Sequence, residues 1–134
     1  MEISSTLQDQ FANAIDTAVG TTGFARLYTA AYALKLTTAP LNSPAFGSAA
    51  TGLITLDVGT PVGPIEDTAP VAGTAVLMGL YPTTAATSGA FIVAFGVATT
   101  GTPDIDMSNN VILTTDTVQV SSLSIQVPTG SPTT

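Results

Sequence analysis

At 134 residues the chain suits one domain with one core, and with no cysteine that core has no disulfide to lean on. Two basic residues, Arg26 and Lys35, stand against nine acids for a net charge of −7, too few cations to neutralise a run of phosphates, so no nucleic-acid partner is expected. The absence of histidine and cysteine excludes Cys–His and Ser–His–Asp nucleophilic catalysis and histidine acid–base chemistry.

Charged residues make up only 8% of the chain and the mean hydropathy is +0.46, whereas a surface that stays soluble alone carries about 25–35% charged residues. Twenty-four threonines and nineteen alanines fill that space. Such a surface is polar enough for water yet cheap to desolvate against another protein, which suggests an assembly subunit. MEISSTLQDQF lacks the basic and apolar regions of a signal peptide. The longest apolar-rich run, AFIVAFGVA, is far short of the ~20 residues that span a bilayer, so no membrane partner is expected.

In chain order, residues 4–20 read as a helix. Leu7, Phe11, Ile15 and Val19 recur every four residues, with Ala14 and Ala18 beside them. Ser5 and Gln8 have capping-box spacing, and Gly20 is a natural stop. After Gly23 short β-rich runs alternate with Gly, Pro, Asn and Ser, the pattern of an antiparallel β-sandwich or small barrel. The expected strands are 24–29, 32–37, 52–58, 73–81, 90–98, 111–114 and 117–127, of which 90–98 is apolar on both faces and therefore expected to be central. Within 117–127, Val118 and Val120 lie in even register but Leu123, Ile125 and Val127 in odd, which predicts a β-bulge at Ser121–Ser122. The stretch 59–72 has three prolines and two glycines and reads as an exposed loop. The organisation is thus a helix and connector over 1–23, a β-domain over 24–128 and a tail over 129–134.

Little chemistry is available. Lys35 alternates with Leu34 and Leu36 and reads as a solvated strand residue, Glu66 and Asp67 diverge in an extended loop, and no glycine loop carries the lysine and helix that phosphate binding needs. No cofactor is expected. GTPDIDMSNN at 101–110 resembles the start of a calcium loop, with Asp104, Asp106 and Asn110 as the candidate ligands. Counted from Asp104, however, the glycine position holds Asn109 and the bidentate glutamate position holds Thr115. A polar turn whose Asp and Asn side chains satisfy nearby backbone is the stronger reading.

LYT at 27–29, SPAFGSAATGLITL at 43–56, GTAVLMGLY at 73–81, GVATTGTPDIDMSNNVI at 96–112 and TVQVSSLSI at 117–125 occur in that order. Together they resemble a family of small proteins encoded in tailed-phage and prophage structural-gene regions. The chain departs from that family at Leu77, Met78 and Gly79, where an aromatic and an arginine are common. The resemblance implies a non-enzymatic virion protein, made in the host cytoplasm. A capsid decoration (cement) protein at the head surface is the first expectation, clamping the major capsid protein or other virion proteins. The class implies a homo-oligomer, with a trimer in keeping with three-fold positions. Leu7, Phe11, Ile15 and Val19 are the expected interface, if the helix docks on a neighbour rather than on its own sheet. The alternatives are a tail or head–tail connector subunit, and a receptor- or glycan-binding module that stacks sugars on Tyr28, Tyr32 and Tyr81.

Overall fold

A computed structural model describes residues 2–58, 64–101, 103–107 and 109–128. Strands account for 33% of the chain and helix for 15%, so the fold is mainly β, largely antiparallel, with one N-terminal helix.

Helix α1 spans Ser5–Val19. Its cap is Ser4, one residue earlier than the sequence suggests: the Ser4 hydroxyl accepts from the Leu7 N–H at 3.3 Å. That shift places Leu7 at the third helical position, so Gln8 cannot close a capping box and turns inward instead, 3% exposed. Gly20 ends the helix at φ 69°, its N–H donating to the Asp16 carbonyl.

Among the described residues eleven short strands follow: β1 Phe24–Tyr28, β2 Ala39–Pro40, β3 Leu53–Thr55, β4 Ile65–Asp67, β5 Gly73–Thr74, β6 Leu77–Tyr81, β7 Val93–Ala98, β8 Ile105–Asp106, β9 Val111–Ile112, β10 Val118–Val120 and β11 Ser124–Gln126. One sheet has the order β2-β1-β6-β7-β8, and three two-stranded ribbons are β10–β4, β11–β3 and β5–β9. Every pairing is antiparallel except β7–β8, where Val97 and Ala98 run parallel to Ile105 and Asp106.

Two long strands expected from the sequence are broken because the chain changes partner along them. The run 73–81 pairs first with β9, through Thr74 opposite Val111. It then crosses at Ala75–Val76, where Val76 donates to the Tyr28 carbonyl, to lie along β1. The run 117–127 likewise pairs with β4 through 118–120 and with β3 through 124–126. The change of phase at Ser121–Ser122 is thus a change of partner rather than a bulge in one ladder. The expected strand at 32–37 is reduced to a bridge between Tyr28 and Lys35, because the chain first makes a 3₁₀ turn over Ala30–Tyr32. Part of the expected loop 59–72 is a strand: Ile65 is fully buried and Ile65–Asp67 pairs with β10, while residues 59–63 lie outside the described residues.

The five-stranded sheet is covered on both faces. Ala25 and Leu27 face the main core with their cross-strand neighbours Leu80 and Met78, joined by Ile54, Leu56, Ile65, Ile112 and, from α1, Ala12 and Val19. On the opposite face lie Arg26, Tyr28 and Tyr81. The most buried strands are therefore β1 and β6 rather than β7, whose residues 93–96 are only half-buried.

Candidate interaction surfaces

Helix α1 is fastened by its polar face. Asp9 accepts from the Gly52 N–H at 2.6 Å, Asn13 from the Ala49 N–H at 3.2 Å and Asp16 from the Phe46 N–H at 3.1 Å. Spacings of four and three residues put these acceptors on one side of the helix, so segment 46–52 runs antiparallel to it as a clipped strap. Two of the three bonds carry a carboxylate, each worth about 1.5–3 kcal/mol net. Gly52 sits at φ 77°, and a Cβ there would lie 2.9 Å from the Gln8 Cβ, so the close approach of strap and helix requires glycine.

The expected interface stripe is divided by this docking. Val19 is fully buried and Ile15 packs against the core, whereas Leu7 is 41% and Phe11 49% exposed. The cause is geometric: with 3.6 residues per turn, each step of four drifts about 40° around the axis, so Leu7 and Val19 point about 120° apart. The buried face is Gln8, Ala12, Ile15 and Val19. Leu7, Phe11, Ala14 and Ala18 form a separate exposed stripe, free of charge and held on a helix that the strap prevents from rolling.

The second surface centres on the one arginine. Arg26 is 2% exposed, and its guanidinium donates to the carbonyls of Ala86 at 2.8 Å, Thr84 at 2.8 Å and Thr83 at 3.3 Å. It also lies 4.5 Å from the centre of the Tyr81 ring, within cation–π range. The Nε has no partner among the described residues. The Tyr81 hydroxyl donates to the Ser88 carbonyl at 2.7 Å, so two side chains of the sheet hold the connection 82–90 across its outer face. Burial first, and then Tyr28 and Tyr32, push the Tyr81 phenol far above its ordinary value of 10.0, which keeps it a neutral donor. The Tyr81 ring also lies over Gly79, where a Cβ would meet it at 2.7 Å. The three tyrosines are brought together, with Tyr28 5.4 Å from Tyr32 and 5.9 Å from Tyr81. Tyr28 and Tyr81 are nonetheless interior. The aromatic pair that reaches the surface is Tyr32 stacked on Phe91, 5.7 Å apart. Tyr32 is presented by a turn in which both it and Ala31 have positive φ, 56° and 55°, a costly conformation for residues with a Cβ.

Arg26's role is not legible from local pattern alone. FARLY alternates like a strand with one wet face, and the carbonyls that receive the guanidinium lie 57–60 residues away. The usable signal was Arg26 and Tyr28 sharing a face of an otherwise apolar strand.

In 101–110, Asp104 accepts from the Gly96 N–H at 2.9 Å and Asn110 donates to the Ala75 carbonyl at 3.0 Å. Asn109 accepts from the Val111 N–H two residues on. Ile105–Asp106 is strand rather than turn, and the Asp106 side chain and Ser108 lie outside the described residues. Among the described residues no group of three or more His, Cys, Asp or Glu is placed to hold a metal ion. Glu66 and Asp67 lie on β4, where Asp67 accepts from the N–H groups of Thr38 and Ala69. The tail 129–134 lies outside the described residues. No described helix is long and apolar enough to cross a membrane.

Comparison with protein families, with curated proteins and with solved structures returned no match to this chain.

Proposed function

We propose that this chain is a non-enzymatic virion structural protein of a tailed phage, most simply a capsid decoration protein that clamps neighbouring subunits at the head surface. The observation that carries the reading is the exposed Leu7–Phe11–Ala14–Ala18 stripe on a helix fixed by three side-chain bonds to the strap. An amphipathic helix tethered this firmly would ordinarily turn its largest apolar groups inward. Here Phe11 stays out while Gln8 goes in, an arrangement that makes sense for a surface another protein covers. The charge-poor, threonine-rich composition and the resemblance of its ordered segments to phage structural-region proteins support the same reading.

Binding would bury this apolar stripe and the small polar side chains around it, with little charge to desolvate. The test is addition of purified protein to expanded phage capsids that lack it. Saturable binding with a rise in capsid melting temperature is expected. Co-fractionation with tails and no binding to capsids would assign the chain to the tail or the connector.

A further inference from the structure

Both cations of the chain lie on the outer face of the five-stranded sheet. Arg26 is committed there to loop carbonyls and the Tyr81 ring. Lys35 stands directly opposite Tyr28 in an isolated antiparallel bridge, and residues paired in this way put their side chains on the same side of a sheet. Its neighbour Leu36 enters the core on the other side. Lys35 is exposed and has no ion pair among the described residues. Beside it Tyr32 lies between Tyr28 and Phe91, so Phe91, 39% exposed, is the outer member of the aromatic series. The pair is held in place from two sides. Tyr32 is presented by positive φ at Ala31 and at Tyr32 itself, backbone strain of a kind that clusters at binding sites. Phe91 follows the loop that Arg26 and Tyr81 hold down. On that loop Thr83, Thr84 and Thr87 are exposed, and their hydroxyls have no hydrogen-bond partner among the described residues.

We propose that this face binds an acidic saccharide: a sugar ring lies on Phe91 and Tyr32, its hydroxyls meet the loop threonines, and its carboxylate pairs with Lys35. One face of a pyranose is rich in C–H and stacks on an aromatic ring, while its edge is all hydroxyl; an aromatic pair rimmed by unpaired hydroxyls answers both. Charge selects the acidic form. Residues 28–34 and 82–92 include no Asp or Glu, so a cationic ligand would find no counter-charge and would be repelled by Lys35 and Arg26. The acids behind the net charge of −7 belong to other segments, and their field is screened beyond about 8 Å at physiological salt. The platform also faces away from α1, whose Ala12 and Val19 pack into the core on the other side of the sheet. With α1 against a capsid, the platform would point outward. That orientation rests on the proposed function, whereas sugar binding by the isolated chain does not.

The chain has no tryptophan and three tyrosines, all in this cluster, so the tyrosine fluorescence of the full chain reports on the site. The test titrates it with oligogalacturonate and with N-acetylneuraminic acid, using galactose and choline chloride as comparisons. A saturable change with one or both acidic sugars is expected, with galactose bound more weakly and choline not at all. Phe91→Ala should weaken binding about tenfold, the scale of one aromatic contact. Lys35→Gln should abolish the preference for acidic over neutral sugar and flatten its salt dependence. Both substitutions alter exposed side chains, and circular dichroism establishes that each variant folds. Should Phe91→Ala fail to fold, Phe91→Leu takes its place, keeping apolar bulk but losing the flat ring, and should weaken binding likewise. Several results overturn the proposal: no saturable response to either acidic sugar, equal affinity for galactose, a response to choline, or undiminished binding by the Phe91 variant. Wild-type binding by Phe91→Leu would mark the face as a general apolar contact for another protein and overturns it too. Sugar binding without capsid binding contradicts only the proposed function, whereas capsid binding without sugar binding contradicts only this inference.

Discussion

Replacing Arg26 by methionine separates the two tasks that one buried cation performs. The guanidinium makes two short bonds to carbonyls, together about 3–6 kcal/mol for charge-assisted bonds, as well as a longer third one, and the Tyr81 ring adds about 1–2 kcal/mol. Against this stands the cost of keeping a cation out of water, several kcal/mol, and an unsatisfied Nε at about 1–3 kcal/mol. The opposing terms nearly cancel, so global stability should fall by only about 1–3 kcal/mol by denaturant titration. The loop should respond far more. Thr83, Thr84 and Ala86 would lose the donor that holds them, and two of the three are surface residues whose carbonyls can turn to water. Hydrogen exchange at the Ala86 and Ala90 amides, which close turns inside that loop, should accelerate well beyond the change seen at β1 and β6 amides. If loop and sheet amides change in parallel, or the loop stays protected, Arg26 is not what fixes 82–90.

Other outcomes follow from single contacts. Gln8→Met should stabilise the fold by about 1 kcal/mol in the same titration, because the buried Nε2 has no partner among the described residues and methionine fills similar space without a donor to satisfy. Gly79→Ala should lose about 1–3 kcal/mol, since its Cβ would strike the Tyr81 ring; a neutral result would mean that the ring moves freely. Tyr81 binds its proton more tightly folded than unfolded. Its contribution is therefore complete below pH ~10 and declines above it, by up to about 1.4 kcal/mol per pH unit. Tyr81→Phe should remove that alkaline decline, and stability curves of equal slope for both proteins would contradict it.

The class of fold was legible because it depends on local signals: one period-3.6 segment bounded by Ser and Gly, then short alternating runs. What could not be read was how long runs are shared among partners. TVQVSSLSIQV shows its phase change plainly, yet period-2 logic cannot distinguish a bulge from a strand that leaves one partner for another. Ile65 in a proline-rich stretch looked like loop, although its burial comes from β10, over fifty residues later in the chain. The helix was found but its face was rotated, because a row of i+4 positions is not a straight line on a 3.6-residue helix. Leu7 and Phe11 remain at the surface, while Ile15 and Val19 serve the core. The tyrosines were recognised as a group, but which of them reach solvent depends on Arg26 and the loop it carries.

The proposed place of this chain is the outside of a phage head. Quantitative mass spectrometry of purified virions, combined with immunogold labelling of intact particles, tests it most directly. Copy numbers comparable to the major capsid protein are expected, with label distributed over the head. A few copies confined to a ring at the portal or the tail, or absence from the particle, would contradict it.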